Sequence, residues 1–445
     1  MSIHHREMQG MKRQGMKRQG LQRISTQFAL VALAAMQAAG ATPSQDAAAA
    51  LTLDQAITRA FAANPTIRAA TLEVGAQDGA IAQAAALPNP ELAFIKEGTH
   101  GPERTASVQL TVPIELGGKR GARIGEAQAG RAVATEHLAA ARIELRADVG
   151  AAFYELAIAA RRARLAGELA VLAEQAAHAA ARRVQAGKVS PVEETRAKVA
   201  LAGVRIEALQ SARELDHART RLEAFWAGAA DDVGAAQEVA AIEPARILPP
   251  PAPPIAALLR LLEDAPALKR QHADLALRGA TAGVERSKRM PNLGVIVGTQ
   301  RDYRDRDRQA VLGLTVPLPL FDRNQGAVLA SLRRVDKARE ELRAQAIRVR
   351  TDVTEAHARL HTALAEAALI DAQILPGAAS AYDAAGKGFD AGKFSFLEVL
   401  DAQRTLFQAR IQYLNAAAQA WRARAGIERL VGPLPLGADA VTEHP

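Results

Sequence analysis

Large apolar and small or polar residues alternate strictly in two segments of the chain. In TASVQLTVPIE one face of an extended strand would carry Val108, Leu110, Val112 and Ile114. In QAVLGLTVPL the corresponding face would carry Leu312, Leu314, Val316 and Leu318. Each segment follows another strand-like run, PELAFIKEG or NLGVIVGTQ, which predicts strand pairs over 90–114 and 292–318. Transmembrane β-barrel strands show this alternation over about 9 to 11 residues, and a half-buried soluble sheet shows it as well.

Helical periodicity follows each strand pair. Proline is absent from 118–186, and apolar residues recur there at intervals of three, four and seven. Such a helix would be about 100 Å long. A second long helix is predicted from Gln325 to about Leu375, with a kink at Pro376. Before the first strand pair, Thr52 is a predicted N-cap and Asn64-Pro65 a helix break.

The motifs AGKVSPVEE and AGKFSFLEV mark the ends of the two long helices. Their glycines can adopt the left-handed backbone that ends a helix, and their lysines are favoured at its negative C-terminal end. The serine can cap a returning helix, and the glutamate three residues later would complete a capping box. Two helical hairpin tips are therefore predicted. The residues concerned are Gly187, Lys188, Ser190 and Glu193, and Gly392, Lys393, Ser395 and Glu398.

Further segments recur in the same order in both halves of the chain. LTVP occurs twice, RADV returns as RTDV, and PN precedes a strand in each half. The interval is far too long for a solenoid, so a duplicated structural unit is indicated. We expect the first repeat over 42–227, an alanine- and proline-rich linker over 228–254, the second repeat over 255–432 and a tail over 433–445.

Residues 1–41 have the pattern of a secretory signal peptide. A basic start precedes the apolar stretch ISTQFALVALAAMQAA and the small residues at 39–41, while Met1, Met11 and Met16 all remain possible starts. This segment supplies most of the formal net charge of +8, so nothing suggests nucleic-acid binding. Cysteine is absent, which excludes disulfides and thiolate metal sites. Apolar residues make up 49% and aromatic residues only 4%, which favours close-packed helices.

The sequence contains no pattern of catalytic residues. GGKR lacks the spacing of a phosphate-binding loop, and GxSxG and HExxH do not occur. His357 and His361 stand four apart and could share a metal ion, but a packed or solvated pair is the preferred interpretation because no third ligand is evident nearby. We therefore expect neither enzymatic activity nor a cofactor or metal site.

The order helix, strand pair, long helix, tip and returning helix, present twice behind a signal peptide, resembles the TolC-type outer-membrane efflux family. The segments that carry the resemblance are VPIELGGKRGARIGEAQA, VPLPLFDRNQGAVLAS and GKFSFLEVLDAQRTLFQAR. The GGKR junction is most similar to the heavy-metal, cobalt-zinc-cadmium branch. The resemblance covers nearly the whole mature chain and implies a mainly α, α+β fold. In that fold a homotrimer pools four transmembrane strands per chain into one twelve-stranded barrel, and long antiparallel helices form a periplasmic α-barrel.

The function implied by the resemblance is that of a passive exit duct in the outer membrane of a Gram-negative cell. An inner-membrane RND-type pump would drive heavy-metal cations into the duct through a periplasmic adaptor. A channel for drug efflux or type I protein secretion would share the same features. A periplasmic coiled-coil scaffold is less favoured, because four amphipathic strands precede the long helices.

The resemblance also assigns three sets of residues. Adaptor docking would use the tips, at Gly187, Lys188, Ser190, Gly392, Lys393 and Ser395. The periplasmic entrance would use Glu398 and Asp401, which are three apart on one helical face, together with Phe389 at the usual position of a gating tyrosine. Glu398 is alternatively committed to capping Ser395. The strand-to-helix junctions would be Pro113, Gly117, Gly118, Lys119, Arg120 and Pro317, where the prolines end ladder hydrogen bonding.

Overall fold

The computed structural model describes residues 51–98, 103–226 and 247–435. The predicted signal peptide at 1–41, part of the turn between the first two strands, most of the predicted linker and most of the C-terminal tail lie outside these residues. All described residues belong to one structural unit.

The same order of elements occurs in both halves. The described elements of the first half are α1 (Leu53–Ala63), α2 (Pro65–Ala85), β1 (Glu91–Glu97), β2 (Thr105–Ile114), α3 (Lys119–Gln185) and α4 (Pro191–Glu223). The second half begins with α5 (Ile255–Arg260), a 3₁₀ turn (Leu261–Asp264), α6 (Pro266–Ser287), β3 (Leu293–Asp302) and β4 (Arg308–Thr315). It continues with α7 (Gln325–Leu369), a π-helical turn (Ile370–Ile374), α8 (Leu375–Asp390) and α9 (Phe396–Val431).

The predicted caps of the first two helices are present. The Gln55 N–H donates to Thr52 Oγ1 at 3.3 Å, and the Thr52 N–H donates to Gln55 Oε1 at 2.9 Å, which makes a capping box. Asn64 separates the two helices, and its Oδ1 accepts from the Thr66 N–H at 2.9 Å. Pro65 then occupies the first turn of α2, where its missing N–H costs no helical hydrogen bond.

The four strands form one antiparallel sheet in the order β1-β2-β3-β4. The register places large apolar side chains opposite one another across all four strands, as the alternation predicts for β2. We call one such set the apolar row: Leu92, Leu110, Val297 and Leu312. Exposure is greatest on the two edge strands, at 73% for Leu92 and 79% for Leu312. Among the described residues, none covers the apolar face, and no further strand pairs with β1 or β4 at the two edges of the sheet.

Two details of the strand prediction are wrong. Pro113 does not end pairing in β2, because Ile114 still pairs with Leu293 of β3. Pairing with β1 has already ended at Thr111, so Pro113 lies where β2 has a partner on one side only. β4 ends at Thr315, which pairs with Gly294 near the start of β3, so 316–318 continue the apolar alternation without continuing the strand.

The long helices are present as predicted, with one irregularity. α3 runs for 67 residues and so extends about 100 Å from the sheet to the first tip. α7 contains 45 residues, and helical backbone continues through a π-helical turn into α8, with Pro376 in the first turn of α8. Within the described ranges, no helix has a stretch that is both long enough and apolar enough to cross a membrane.

The buried core repeats between the two halves. In α3 it contains Leu145, Val149, Ala152 and Leu156, and in α7 the matching Val349, Val353, Ala356 and Leu360. The returning helices contribute Leu222 and Ile427, each 0% exposed. Burial of each large aliphatic side chain contributes about 1.5 to 3 kcal/mol. The duplicated RADV and RTDV motifs therefore mark equivalent core positions.

A third cluster joins the halves. Tyr154 of α3 stacks on Trp421 of α9 with an interplanar angle of 8°. The indole N–H of Trp421 donates to the Ile247 carbonyl oxygen at 2.8 Å. Ile247 and Leu248, at the end of the predicted linker, pack against the same cluster. The linker segment that the structure describes is thus attached to α9 by both a hydrogen bond and apolar contact.

Candidate functional site at the helical tips

The two tips share one backbone motif. Gly187 and Gly392 have φ of +68° and +71°, in the left-handed region where a side chain is disfavoured. In each tip the glycine N–H donates to the carbonyl oxygen three residues earlier at 2.9 Å. The N–H of Lys188 donates to the carbonyl oxygen five residues earlier at 2.9 Å, and that of Lys393 does so at 2.8 Å. Both long helices therefore end in a Schellman motif, as the glycines predict.

The returning helices are capped differently. The Ser395 N–H donates to Glu398 Oε2 at 2.6 Å, and the Glu398 N–H donates to Ser395 Oγ at 3.4 Å, which forms the predicted capping box. At the first tip the prediction of a capping box is wrong. Ser190 Oγ accepts from the Val192 N–H at 3.3 Å, and the Glu193 N–H donates to the Ser190 carbonyl oxygen at 3.0 Å instead. The shared sequence pattern thus gives two different caps.

The tips also differ in how their last turns pack. A Cβ atom at Gly388 would overlap the ring of Phe394, so this ring is seated directly on the glycine backbone. The equivalent positions in the first tip are Arg183 and Val189.

The guanidinium carbon of Arg183 lies 5.2 Å from the centroid of the Phe389 ring. The end of α3 therefore contacts the end of α8 through a cation–π pair.

The two acidic residues proposed for the entrance have different environments. Both side chains are exposed near the start of α9. Glu398 is committed to the capping box with Ser395. Asp401 forms no ion pair with another described residue, and its carbonyl oxygen accepts from Thr405 Oγ1 at 2.9 Å. Of the pair, Asp401 has the carboxylate that is available to solvent and to ions.

The first strand-to-helix junction is built around two glycines. Gly117 and Gly118 have φ of +73° and +70°, and Gly118 is the N-cap of α3. A Cβ atom at Gly117 would lie 2.6 Å from the Cβ of Met290 and 3.3 Å from the Ser287 carbonyl oxygen. Gly117 is therefore required both by its backbone conformation and by its contact with the end of α6.

Basic residues hold this junction in place. Lys119 Nζ donates to the side-chain oxygen of Asn292, which links the two halves. Arg120 Nε donates to the Ala85 carbonyl oxygen at 2.7 Å. Arg123, which the sequence analysis did not single out, forms a two-pronged ion pair with Glu115, with 2.9 Å between Nη2 and Oε2. The hydrogen bond from Arg123 holds the pKa of Glu115 below its ordinary value.

The second junction uses different residues. Asn324 takes the place of a glycine as N-cap of α7, with φ of +57°. Its Nδ2 donates to the Glu285 carbonyl oxygen and to Glu285 Oε2, both at 2.8 Å. The hydrogen bond from Asn324 to the Glu285 carboxylate lowers the pKa of Glu285, and a hydrogen bond from Lys288 to the same carboxylate lowers it further. Pro317 lies beyond the end of β4, in the segment that leads to this junction.

The sequence also did not predict an ion pair on α9 between a buried arginine and a half-buried glutamate. Arg424 is 2% exposed and donates from Nη2 to the carbonyl oxygens of Leu434 and Pro435 at 2.9 and 2.8 Å. Its Nε lies 3.1 Å from Glu428 Oε1. Burial raises the pKa of Glu428 and lowers that of Arg424. The i,i+4 spacing is common on exposed helices, so the sequence carried no signal of burial.

The histidine pair lies on α7, where His357 is half-buried and His361 is exposed. In the part of the chain that the structure describes, no group of three or more histidine, aspartate and glutamate side chains could hold a metal ion.

Comparison with known proteins identifies the family. The family model described as "Outer membrane efflux protein" matches residues 56–228 and 257–433. The chain is 42% identical over 388 residues to the cobalt-zinc-cadmium resistance protein CzcC of Cupriavidus metallidurans, covering 87% of this chain and 91% of that protein. The chain therefore belongs to the outer membrane efflux protein family, and its role is efflux across the outer membrane.

Solved structures show the same fold. A membrane protein from Pseudomonas aeruginosa matches with a TM-score of 0.73 at 22% identity, covering 87% of this chain and 93% of that one. The outer-membrane channel OprN matches with a TM-score of 0.70 at 17% identity, covering 85% and 89%. The TolC-like, mainly α fold predicted from the element order is confirmed.

Proposed function

We propose that this protein is the outer-membrane duct of a tripartite efflux system that exports heavy-metal cations. The observation that carries the proposal is the four-stranded sheet, whose apolar face is exposed and whose two edges pair with no further strand of the described chain. An uncovered apolar face of this kind is suited to lipid, and open strand edges require partner strands in a membrane. Similarity to a protein named for cobalt, zinc and cadmium resistance supports the choice of substrate.

The proposed assembly is a homotrimer. Small barrels close with about eight strands, so a single four-stranded sheet is insufficient. Three copies would contribute twelve strands and pair the β4 edge of each chain with the β1 edge of the next. The same threefold arrangement would bring the long helices of neighbouring chains side by side, below the membrane.

The proposed entrance lies at the second tip. In a trimer three Asp401 carboxylates would form a negative ring, which attracts cations and raises their local concentration. Phe389 would close the entrance through its contact with Arg183 and not through a hydrogen-bonded latch. Glu398 contributes mainly to the helix cap in this account.

Both tips are proposed to dock a periplasmic adaptor that connects to an inner-membrane RND-type pump. Gly187, Lys188, Gly392 and Lys393 are exposed at the turns, and Ser190 and Ser395 start the returning helices. A passive duct has no energy source, so a partner must supply the driving force. The exposed turns are surfaces that such a partner could reach.

Metal tolerance of a deletion strain tests the substrate assignment. Loss of the gene should increase sensitivity to cobalt, zinc and cadmium, and re-expression of the chain should restore tolerance. An Asp401→Asn copy expressed at the same level should restore it only in part. If the deletion instead changes only drug sensitivity or secretion of a protein, the substrate is not a heavy metal.

A further inference from the structure

Basic side chains form a row on the apolar face of the sheet. The row lies at the loop end, where β1 turns into β2 and β3 turns into β4. Lys96 pairs with Ala106, Ala106 with Arg301, and Arg301 with Arg308. Residues separated by an even number of positions along a strand lie on the same face. This basic row lies four residues along each strand from the apolar row and therefore shares its face. All three basic side chains are exposed.

A tyrosine and a fourth basic residue extend this row. The Tyr303 N–H donates to the Arg104 carbonyl oxygen at 3.0 Å. The guanidinium carbons of Arg104 and Arg301 lie 5.1 and 5.0 Å from the centroid of the Tyr303 ring. We call Lys96, Arg104, Arg301 and Arg308 together the basic rim. The ring of Tyr303 keeps two of these guanidinium groups at the end of the apolar face.

Carboxylates at the same end of the sheet as the basic row lie on the opposite face. Glu97 and Asp302 both pair with Thr105 of β2, one position away from the basic row. Thr105 Oγ1 donates to Glu97 Oε2 at 3.5 Å. Among the described residues, no ion pair joins a member of the basic rim to a carboxylate, whereas the loop residue Arg304 lies 3.7 Å from Glu103. Positive charge is thus grouped with the apolar face, and negative charge with the polar face.

This grouping specifies the chemistry of a ligand. Guanidinium groups bind phosphate oxygens through paired hydrogen bonds. The aliphatic stems of arginine and lysine lie on apolar surface while their charged ends reach polar groups. A molecule with phosphate groups at one end and hydrocarbon chains at the other would match the basic rim and the apolar face together. A small free anion would use only the rim.

We infer that the basic rim binds the phosphorylated headgroup of a membrane lipid whose acyl chains lie along the apolar face. The inference rests on the proposed function, in which this face meets the outer membrane. It adds a lipid site to a duct whose other proposed sites are at the opposite end of the long helices. Such a site would fix the depth of the sheet in the membrane, because it would hold the loop ends of the strands at the level of the lipid headgroups.

Lipid binding by the mature, full-length protein in detergent tests this inference. The probes are lipid A carrying two phosphate groups and the same lipid after removal of both, with bound lipid counted by native mass spectrometry. Each basic side chain near an anionic lipid surface contributes roughly a fivefold gain in affinity. The double variant Arg301→Gln/Arg308→Gln should therefore bind diphosphorylated lipid A about 25-fold more weakly than the original protein. Its affinity for the dephosphorylated lipid should be unchanged.

The matched control is Arg304→Gln/Arg306→Gln, which removes the same charge from the adjoining loop. Equal losses in both variants would overturn the inference in favour of general charge attraction. Displacement of lipid A by millimolar inorganic phosphate would also overturn it, since the rim would then be a small-anion site. Conductance of the same preparations in planar bilayers separates the two proposals. Channels that conduct without phosphate-dependent lipid binding contradict only the lipid site, whereas a protein that never inserts contradicts the proposed function as well.

Discussion

The guanidinium carbon of Arg183, in the last turn of α3, lies 5.2 Å from the centroid of the Phe389 ring in the last turn of α8. The two residues belong to different helical hairpins, so this contact joins the tips within one chain. A cation–π pair at a partly exposed site contributes about 0.5 to 1 kcal/mol. If the tips form the proposed entrance, a pair of this strength would favour the closed state and could still be broken when the proposed partner docks.

Replacing Arg183 should loosen the entrance. Arg183→Gln removes the cation but leaves the Schellman motif, because that motif uses only the backbone carbonyl of residue 183. We expect the open probability of single channels to rise about two- to fivefold. Arg182→Gln, an exposed neighbour that loses the same charge, is the control. Equal gating in the two variants would mean that the contact with Phe389 has no role in closure.

The second tip should depend on glycine at position 388. Gly388→Ala would place a methyl group in the space occupied by the Phe394 ring, so the tip should be disrupted even though alanine favours helix. Gly386→Ala has open space around its Cβ and should be neutral or slightly stabilising. Adding Phe394→Val, which copies Val189 of the first tip, should rescue Gly388→Ala. The rate of limited proteolysis at the tip measures its disruption in each variant. If Phe394→Val failed to rescue Gly388→Ala, the packing of the Phe394 ring on Gly388 would be contradicted.

The two acidic residues near the start of α9 should behave differently. Asp401→Asn should reduce the cation selectivity of single channels, because it neutralises a carboxylate that is not used in the helix cap. Glu398→Gln should lower the stability of the tip by about 0.5 to 1 kcal/mol, since the capping box loses its charged acceptor, and should affect selectivity less. Reversal potentials in a salt gradient measure selectivity. Unchanged selectivity in Asp401→Asn would remove the acidic ring from the account.

The buried ion pair predicts a pH dependence. Arg424→Met leaves the half-buried Glu428 without its partner and frees two carbonyl oxygens, which should cost about 3 kcal/mol at neutral pH. Burial raises the pKa of Glu428 in the folded state, so protonation favours folding. The Tm of Arg424→Met should therefore rise as the pH falls through that raised pKa. Arg424→Met/Glu428→Gln should be more stable at neutral pH and lack this dependence. If the Tm of the single and double variants changed with pH in the same way, Glu428 would not be the group that causes the pH dependence.

Local signals in the sequence were sufficient for the helices, for the glycine turns of both tips and for the strand faces. The Gly-Lys dipeptides predict both Schellman motifs because those motifs involve only neighbouring residues. The end of β4 was not predictable from alternation alone. Its apolar pattern continues to Leu318, but pairing stops where the partner strand begins, which is a property of β3. Pro113 was misjudged for the same reason, since pairing with β3 continues one residue further.

The parts of the site that the sequence did not predict depend on contacts between distant segments. The sequence identifies Arg183 and Arg424 only as basic residues on helices, and the resemblance that placed Phe389 at the entrance gave it no partner. Phe389 lies in a different helix from Arg183, and the carbonyl oxygens that accept from Arg424 lie beyond the end of α9. Neither the cation–π pair nor the burial of the Arg424 guanidinium therefore had a local signal. The different caps at Ser190 and Ser395 likewise follow from small changes in geometry that identical spacing does not reveal.

The electrophoretic mobility of unboiled protein from the outer-membrane fraction tests the central claim most directly, because the sheet edges can close only between chains. The account predicts a heat-modifiable band at the mass of a trimer. Leu110→Arg, on the apolar face, should weaken this band because an arginine near the membrane midplane costs about 2 to 4 kcal/mol. Thr111→Arg, on the opposite face of β2, should leave it largely intact. A detergent-free monomer in the periplasmic fraction would contradict the account.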